Sequence, residues 1–273
     1  AAMNLGDVDG ARAHLRAGII GSEELQLPVL RAQLRWMEAV LAMWVGDFAE
    51  AARHHEIAAQ VHEQTELYEA GSGMLATASL LRERGGPVQP DRIEVAVDEQ
   101  SGGQSMVDVM RTALLTVIDQ PAARADADAT LRAYLSDSGA AHIWTTLGHL
   151  TLLAHLAADR MLPEYAEPLL TQLAPFTDRI AVIGQVGMAG PVALATARLH
   201  ALRGDRPRAV QDLAAATSIA ERTGAAPTLL RCRLLDCELA KPGAARAAQA
   251  EALAAEAEAL GMAGVAAAAR ALL

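Results

Sequence analysis

The chain has 273 residues, 52% apolar but only 3% aromatic, with 33 acidic against 23 basic side chains and a formal charge of −10. That length is enough to bury a substantial core in one large or two ordinary domains. Lys241 is the only lysine and the arginines form no basic stripe, which argues against direct nucleic-acid contact by this segment, since phosphate neutralisation supplies most such affinity.

Alanine dominates and leucine follows, a mixture that favours closely packed helices. Glycine–aspartate turns punctuate them. Leu5-Gly6-Asp7-Val8-Asp9-Gly10-Ala11 is similar to Val45-Gly46-Asp47-Phe48-Ala49-Glu50-Ala51 and to Arg203-Gly204-Asp205-Arg206-Pro207-Arg208-Ala209, with a weaker fourth copy starting at Pro242-Gly243. Gly6 and Gly46 lie 40 residues apart and Gly204 and Gly243 lie 39 apart, so a repeat of about forty residues is expected. The glycine is expected to end one helix in the left-handed conformation, and the aspartate to cap the next.

In chain order, helix pairs are predicted at roughly 28–45 with 48–64, 67–84 with 91–99, 104–118 with 121–135, 139–158 with 163–174, 188–203 with 206–223 and 227–240 with 244–260. A capping helix follows from 263. Leu30, Leu34, Met37, Leu41 and Trp44 form one expected buried stripe; Val107, Met110, Leu114 and Val117 form a second, and Ile143, Leu147, Leu150 and Ala154 a third. Asp91 and Glu94 have capping-box spacing. Because Gly6-Asp7 reads as a mid-hairpin turn, the first hairpin looks truncated from a longer polypeptide. Ser101-Gly102-Gly103-Gln104 marks a bend between N-terminal hairpins (1–100) and C-terminal hairpins with their cap (101–273), within one continuous all-α repeat domain, an α-solenoid.

Two charge-free stretches, Ser138–Ala158 and Ile180–Ala197, carry too many polar or helix-breaking residues for membrane spans and are expected as buried helices inside the repeat stack. No secretory leader is evident. Cys232 and Cys237, five apart, make neither a CxxC nor a metal knuckle and should lie on different helix faces; a reduced, cytoplasmic compartment is the expectation.

The hairpins resemble tetratricopeptide repeats. More specifically, Pro163 to Ala240 is similar to the helical module of large multidomain bacterial regulators with a signalling ATPase, through "PEYAEPLLTQLAPFTDRIAV", "GPVALATARLHALRGDRPRAVQDLAAATSIAERTGA" and "LLRCRLLDCELA". Such modules follow the ATPase in LuxR-type transcriptional regulators and in related proteins bearing an adenylyl cyclase or transcriptional-activator domain. The resemblance covers most of the second half and, less closely, the Ala32–Gln64 hairpin; residues 85–105 do not fit. It implies inducer sensing or docking of a protein partner or of other domains of the same parent chain. It places ATP in an upstream domain and carries no catalytic, metal or cofactor residue into this segment.

The residues themselves offer little chemistry. Arg179 to Gly190 imitates a strand entering a dinucleotide loop, but two residues separate its glycines where one is required, so a loop between hairpins is expected. No GxxxxGK[ST] occurs. His54, His55, Glu56 and His62 resemble a zinc-protease helix with the wrong spacing and are expected as solvated helix residues. His142, His149 and His155 are expected along the hairpin core or groove wall, bonded to backbone or water. Asp126 and Asp128 point to different faces and make no acid–base pair. First helices of such hairpins line the concave wall of a solenoid. Arg31, Arg35, Trp36, Arg111, Trp144, His149 and Arg198 are therefore the candidates for contact with a protein or a small effector.

Overall fold

The computed structural model describes residues 1–63, 70–85, 104–117, 123–136 and 145–273. The described part is mostly helical. In order come α1 (Val8–Glu24), α2 (Pro28–Val45), α3 (Phe48–Glu63), α4 (Ala70–Arg84), α5 (Gln104–Leu115), α6 (Ala123–Ser136), α7 (Thr146–Asp159) and α8 (Ala166–Leu173). Two strands follow, β1 (Ile180–Ile183) and β2 (Gly187–Pro191), then α9 (Val192–Leu202), α10 (Arg206–Thr223), α11 (Ala226–Leu239), α12 (Ala244–Ala259) and α13 (Ala263–Arg270). The predicted helix at 91–99 with its capping box, the bend at 101–103, His142, Ile143 and Trp144 lie outside the described residues, as do the side chains of His62 and Val107.

The glycine–aspartate junction recurs at atomic level. At Gly46 (φ 90°) the chain turns left-handed; Gly46 N–H donates to Met43 O at 3.1 Å and Asp47 N–H to Ala42 O at 2.9 Å. This is a Schellman closure. Asp47 then serves the next helix, its Oδ1 accepting from Glu50 N at 3.0 Å. Gly6 (φ 75°) with Asp7 and Gly204 (φ 76°) with Asp205 repeat the same offsets, the aspartates accepting from Gly10 N at 2.8 Å and Arg208 N at 3.3 Å. Gly243 does not belong to the set. Its backbone is extended (φ 160°) at the N-cap of α12, because α11 has already ended at Leu239, ahead of the Lys241-Pro242 step that disfavours helix.

The expected stripe on α2 is displaced. Leu30 and Met37 are exposed, and the buried face is Leu34 with Ala32, Trp36, Ala39, Val40, Met43 and Trp44. Ala32 and Ala39 are fully buried, and a stripe drawn through large residues alone overlooks them. Elsewhere Met110, Leu114, Leu150 and Ala154 are buried as expected. Cys232 and Cys237 enter different apolar clusters, and burial pushes the Cys232 thiol up to about 11.

Ile180–Pro191, expected as a loop running into a buried helix from 188, is an antiparallel hairpin, and the helix starts only at Val192, after Pro191. Ala181 faces Gly190 and Val182 faces Met188, so Ala189 is an extra residue, a β-bulge. β1 packs closely on α7: a Cβ added at Gly148 would sit 2.4 Å from Val182 O, so only glycine admits this approach. From Gly148 to Ala157 every residue of α7 is buried, the mark of a helix enclosed on all sides. Among the described residues no helix is long and apolar enough to cross a membrane.

Distant parts of the chain share one core. Val8, Val40, Trp44 and Phe48 cluster with Ile219, Leu230, Leu253, Met262 and Val265. Trp44 Nε1 donates to Thr223 O at 3.1 Å, and a Cβ on Gly46 would meet Leu260 Cδ1 at 2.9 Å. Gly85 approaches Gly264 backbone to backbone. In an α-solenoid each hairpin touches only its sequence neighbours; here α2 also packs against α11, and α4 against α13.

Candidate functional site

The sequence-predicted residues do not converge. Arg31 and Arg111 are exposed. Arg35 is half-buried and pairs with Glu38 at 2.5 Å. Trp36 is buried in the main core rather than at a groove wall. His149, on α7, is also interior: its Nε2 lies 2.9 Å from Thr112 Oγ1, and Tyr134 meets its ring edge-on at 4.8 Å. Thr112 spends its hydroxyl proton on Asp108 O at 2.8 Å, so the histidine must donate through Nε2. Burial pushes the His149 pKa down to about 4. His54, expected in solvent, is buried between α2 and α3. Its Nε2 stands 3.0 Å from Glu50 Oε1, while its Nδ1 faces Glu38 Oε2 at 3.2 Å, off the line of a hydrogen bond. Burial lowers its pKa despite those two carboxylates.

Arg198 leads to a different place. Its guanidinium holds Asp159 at 2.5 Å and donates to His155 Nδ1 at 3.2 Å. Arginine has no acceptor, so Nδ1 accepts and Nε2 carries the proton, donating to Ala189 O at 3.2 Å. That carbonyl belongs to the bulged residue of β2, which faces no partner in the ladder. Arg82 reaches the same carbonyl and that of Met188, each at 3.4 Å. Arg231 pairs with Glu83 and donates to Arg82 O at 2.6 Å. Thus α4, α7, β2, α9 and α11 meet through three arginines, two carboxylates and one neutral histidine. Burial lowers the Arg82 pKa to about 10; burial and the arginines 82, 198 and 231 push His155 well below its ordinary value.

Beside this cluster lies a small cavity, about 20 Å³, lined by Met43, Trp44, Ser79, Glu83, Met188, Gly190, Pro227 and Thr228. Ser79 is buried, and its Oγ has no hydrogen-bond partner. The sequence carried a faint signal for this place: Leu75, Ala78 and Arg82 keep helical spacing, which puts a charge on a buried stripe, as Leu194 and Ala195 do before Arg198. Among the described residues no three histidines, cysteines or carboxylates are grouped to hold a metal. Comparison with family models, curated proteins and solved structures finds no match.

The arrangement is suited to holding elements together. His155 is locked as a neutral donor, and Arg82, Arg198 and Arg231 each already hold an acceptor.

Proposed function

We propose that the chain is a non-enzymatic, TPR-like interaction and sensing module that serves a multidomain bacterial transcriptional regulator. The observation that carries this reading is the junction built three times with the same backbone bonds at Gly6, Gly46 and Gly204, the construction of a hairpin scaffold rather than of a reaction centre. The first hairpin adds support. Ile20 on α1, Leu25 and Leu27 in the turn after it, and Leu30 and Met37 on α2 stay exposed, with Leu25 70% accessible, apolar surface available for protein contact.

A photo-crosslinking amino acid at Leu27, introduced into the parent protein in its host, tests the reading. A defined adduct, identified by mass spectrometry as another domain of the parent or one partner protein, is expected from position 27 and not from exposed Glu251. Absence of any adduct, or saturable ATP binding by residues 1–273 at micromolar concentration, overturns it.

A further inference from the structure

The cavity beside the arginine cluster sits where three parts of the chain meet: Met43 and Trp44 from α2 with Ser79 and Glu83 from α4, Met188 and Gly190 from β2, and Pro227 and Thr228 from α11. Two features set it apart from a packing gap. Ser79 Oγ is enclosed and makes no hydrogen bond, although a helical serine can ordinarily bond the carbonyl four residues back. A buried polar group left unpaired is costly and in native proteins usually has a partner. Gly190, also in the lining, holds a left-handed φ of 94° with nothing within 4 Å of where a Cβ would be.

The lining also defines what fits. Ser79 has a proton to give and lone pairs to offer. Glu83, fixed by Arg231 and facing Arg82, accepts only. An ammonium head would meet the field of Arg82 and Arg231, which already neutralise Glu83. A carboxylate head would face Glu83. A hydroxyl satisfies both sides, accepting from Ser79 and donating to Glu83. The space, about 20 Å³ and partly open to the surface, takes a head about the size of one water, and Met43, Trp44, Met188 and Pro227 line the site with apolar surface.

We propose that this cavity binds a small neutral molecule with a hydroxyl head and a short aliphatic chain, Ser79 and Glu83 receiving the head. Bound there, the ligand ties α4 and the β-hairpin to α11. The proposal goes beyond partner docking at α1 and α2 and is tested separately from it.

The test is an NMR titration of the 273-residue chain with 1-butanol, butylammonium and butyrate as probes. Butanol is expected to shift the Ser79, Gly190 and Thr228 amides and the Trp44 indole N–H saturably, with the two charged probes at least fivefold weaker. Ser79→Ala removes a hydroxyl that bonds nothing in the empty protein, so the variant folds, and it should weaken butanol at least fivefold. Equal responses to all three probes, shifts that grow linearly without saturation, or unchanged affinity in Ser79→Ala overturn the proposal. So does a water that stays at Ser79 throughout the butanol titration.

Discussion

The Gly46–Asp47 junction and the arginine cluster around Ala189 both hold helices together, and they do so in opposite ways. The junction is assembled from residues within nine positions of one another, Ala42 to Glu50, and its bonds are almost all backbone. The cluster draws Arg82, His155, Ala189, Arg198 and Arg231 from across 150 positions and relies on side chains. A local device can be copied along a chain, and this one is. A long-range device exists once. It follows that damage to the cluster should cost more and spread further than damage to a junction.

Acid offers the broadest way to press on that difference. His149 and His155 are neutral when folded, with pKa values below the ordinary 6.5. Below pH 6.5 the unfolded chain therefore binds protons that the folded chain does not, and stability falls as pH falls from about 6.5 toward 4. Urea unfolding at pH 7 and pH 5 should differ by about 2–4 kcal/mol, and His149→Gln should flatten the slope. A pH-independent midpoint would show that neither histidine is held neutral.

Arg231→Met comes next. It strands Glu83 at the cluster, keeping only Arg82 at 3.7 Å, and should cost about 2–4 kcal/mol by thermal unfolding. A loss below about 0.5 kcal/mol would make this an ordinary surface pair.

Two glycine variants sharpen the comparison between junctions. Gly46→Val and Gly204→Val both force a β-branched residue into a left-handed backbone, at about 1–2 kcal/mol each. Gly46 also touches Leu260, while Gly204 faces open space, so the first variant should be the more destabilising by about 1 kcal/mol. In hydrogen exchange it should loosen α12 as well as α2 and α3. Losses confined to residues 28–63 would restore the picture of hairpins that contact only their neighbours.

The smallest effect is Asp47→Ala, about 1 kcal/mol through the lost cap, with Asp205→Ala smaller because its bond to Arg208 N is longer at 3.3 Å. Equal and negligible values from both, in urea melts, would mean that the glycines alone set the junctions.

What was legible in the sequence follows the same division. Most of the described helices and three of the four junctions were readable because glycine, aspartate and helical spacing act over a turn or two. Gly243 misled because the pattern was right while a proline one residue before it governed the backbone. The hairpin at 180–191 was disguised by its glycines, which mimic a nucleotide loop until Ala189 is seen as a bulge. Trp36 was set facing outward because its neighbours on the buried face are alanines. Ser79 gave no signal at all: a serine inside an Ala-Leu helix looks ordinary until its hydroxyl proves to have no partner.

The shared core of α2 with α12 and α13 bears on synthesis. Leu260 follows Asp47 by 213 positions. At translation rates of roughly 5–20 residues per second, the first hairpins wait about ten to forty seconds on the ribosome before the surface that covers Trp44 and Phe48 has been made. During that interval their apolar face is available to chaperones, and also to wrong neighbours, so yield in the cell depends on how quickly the last sixty residues arrive.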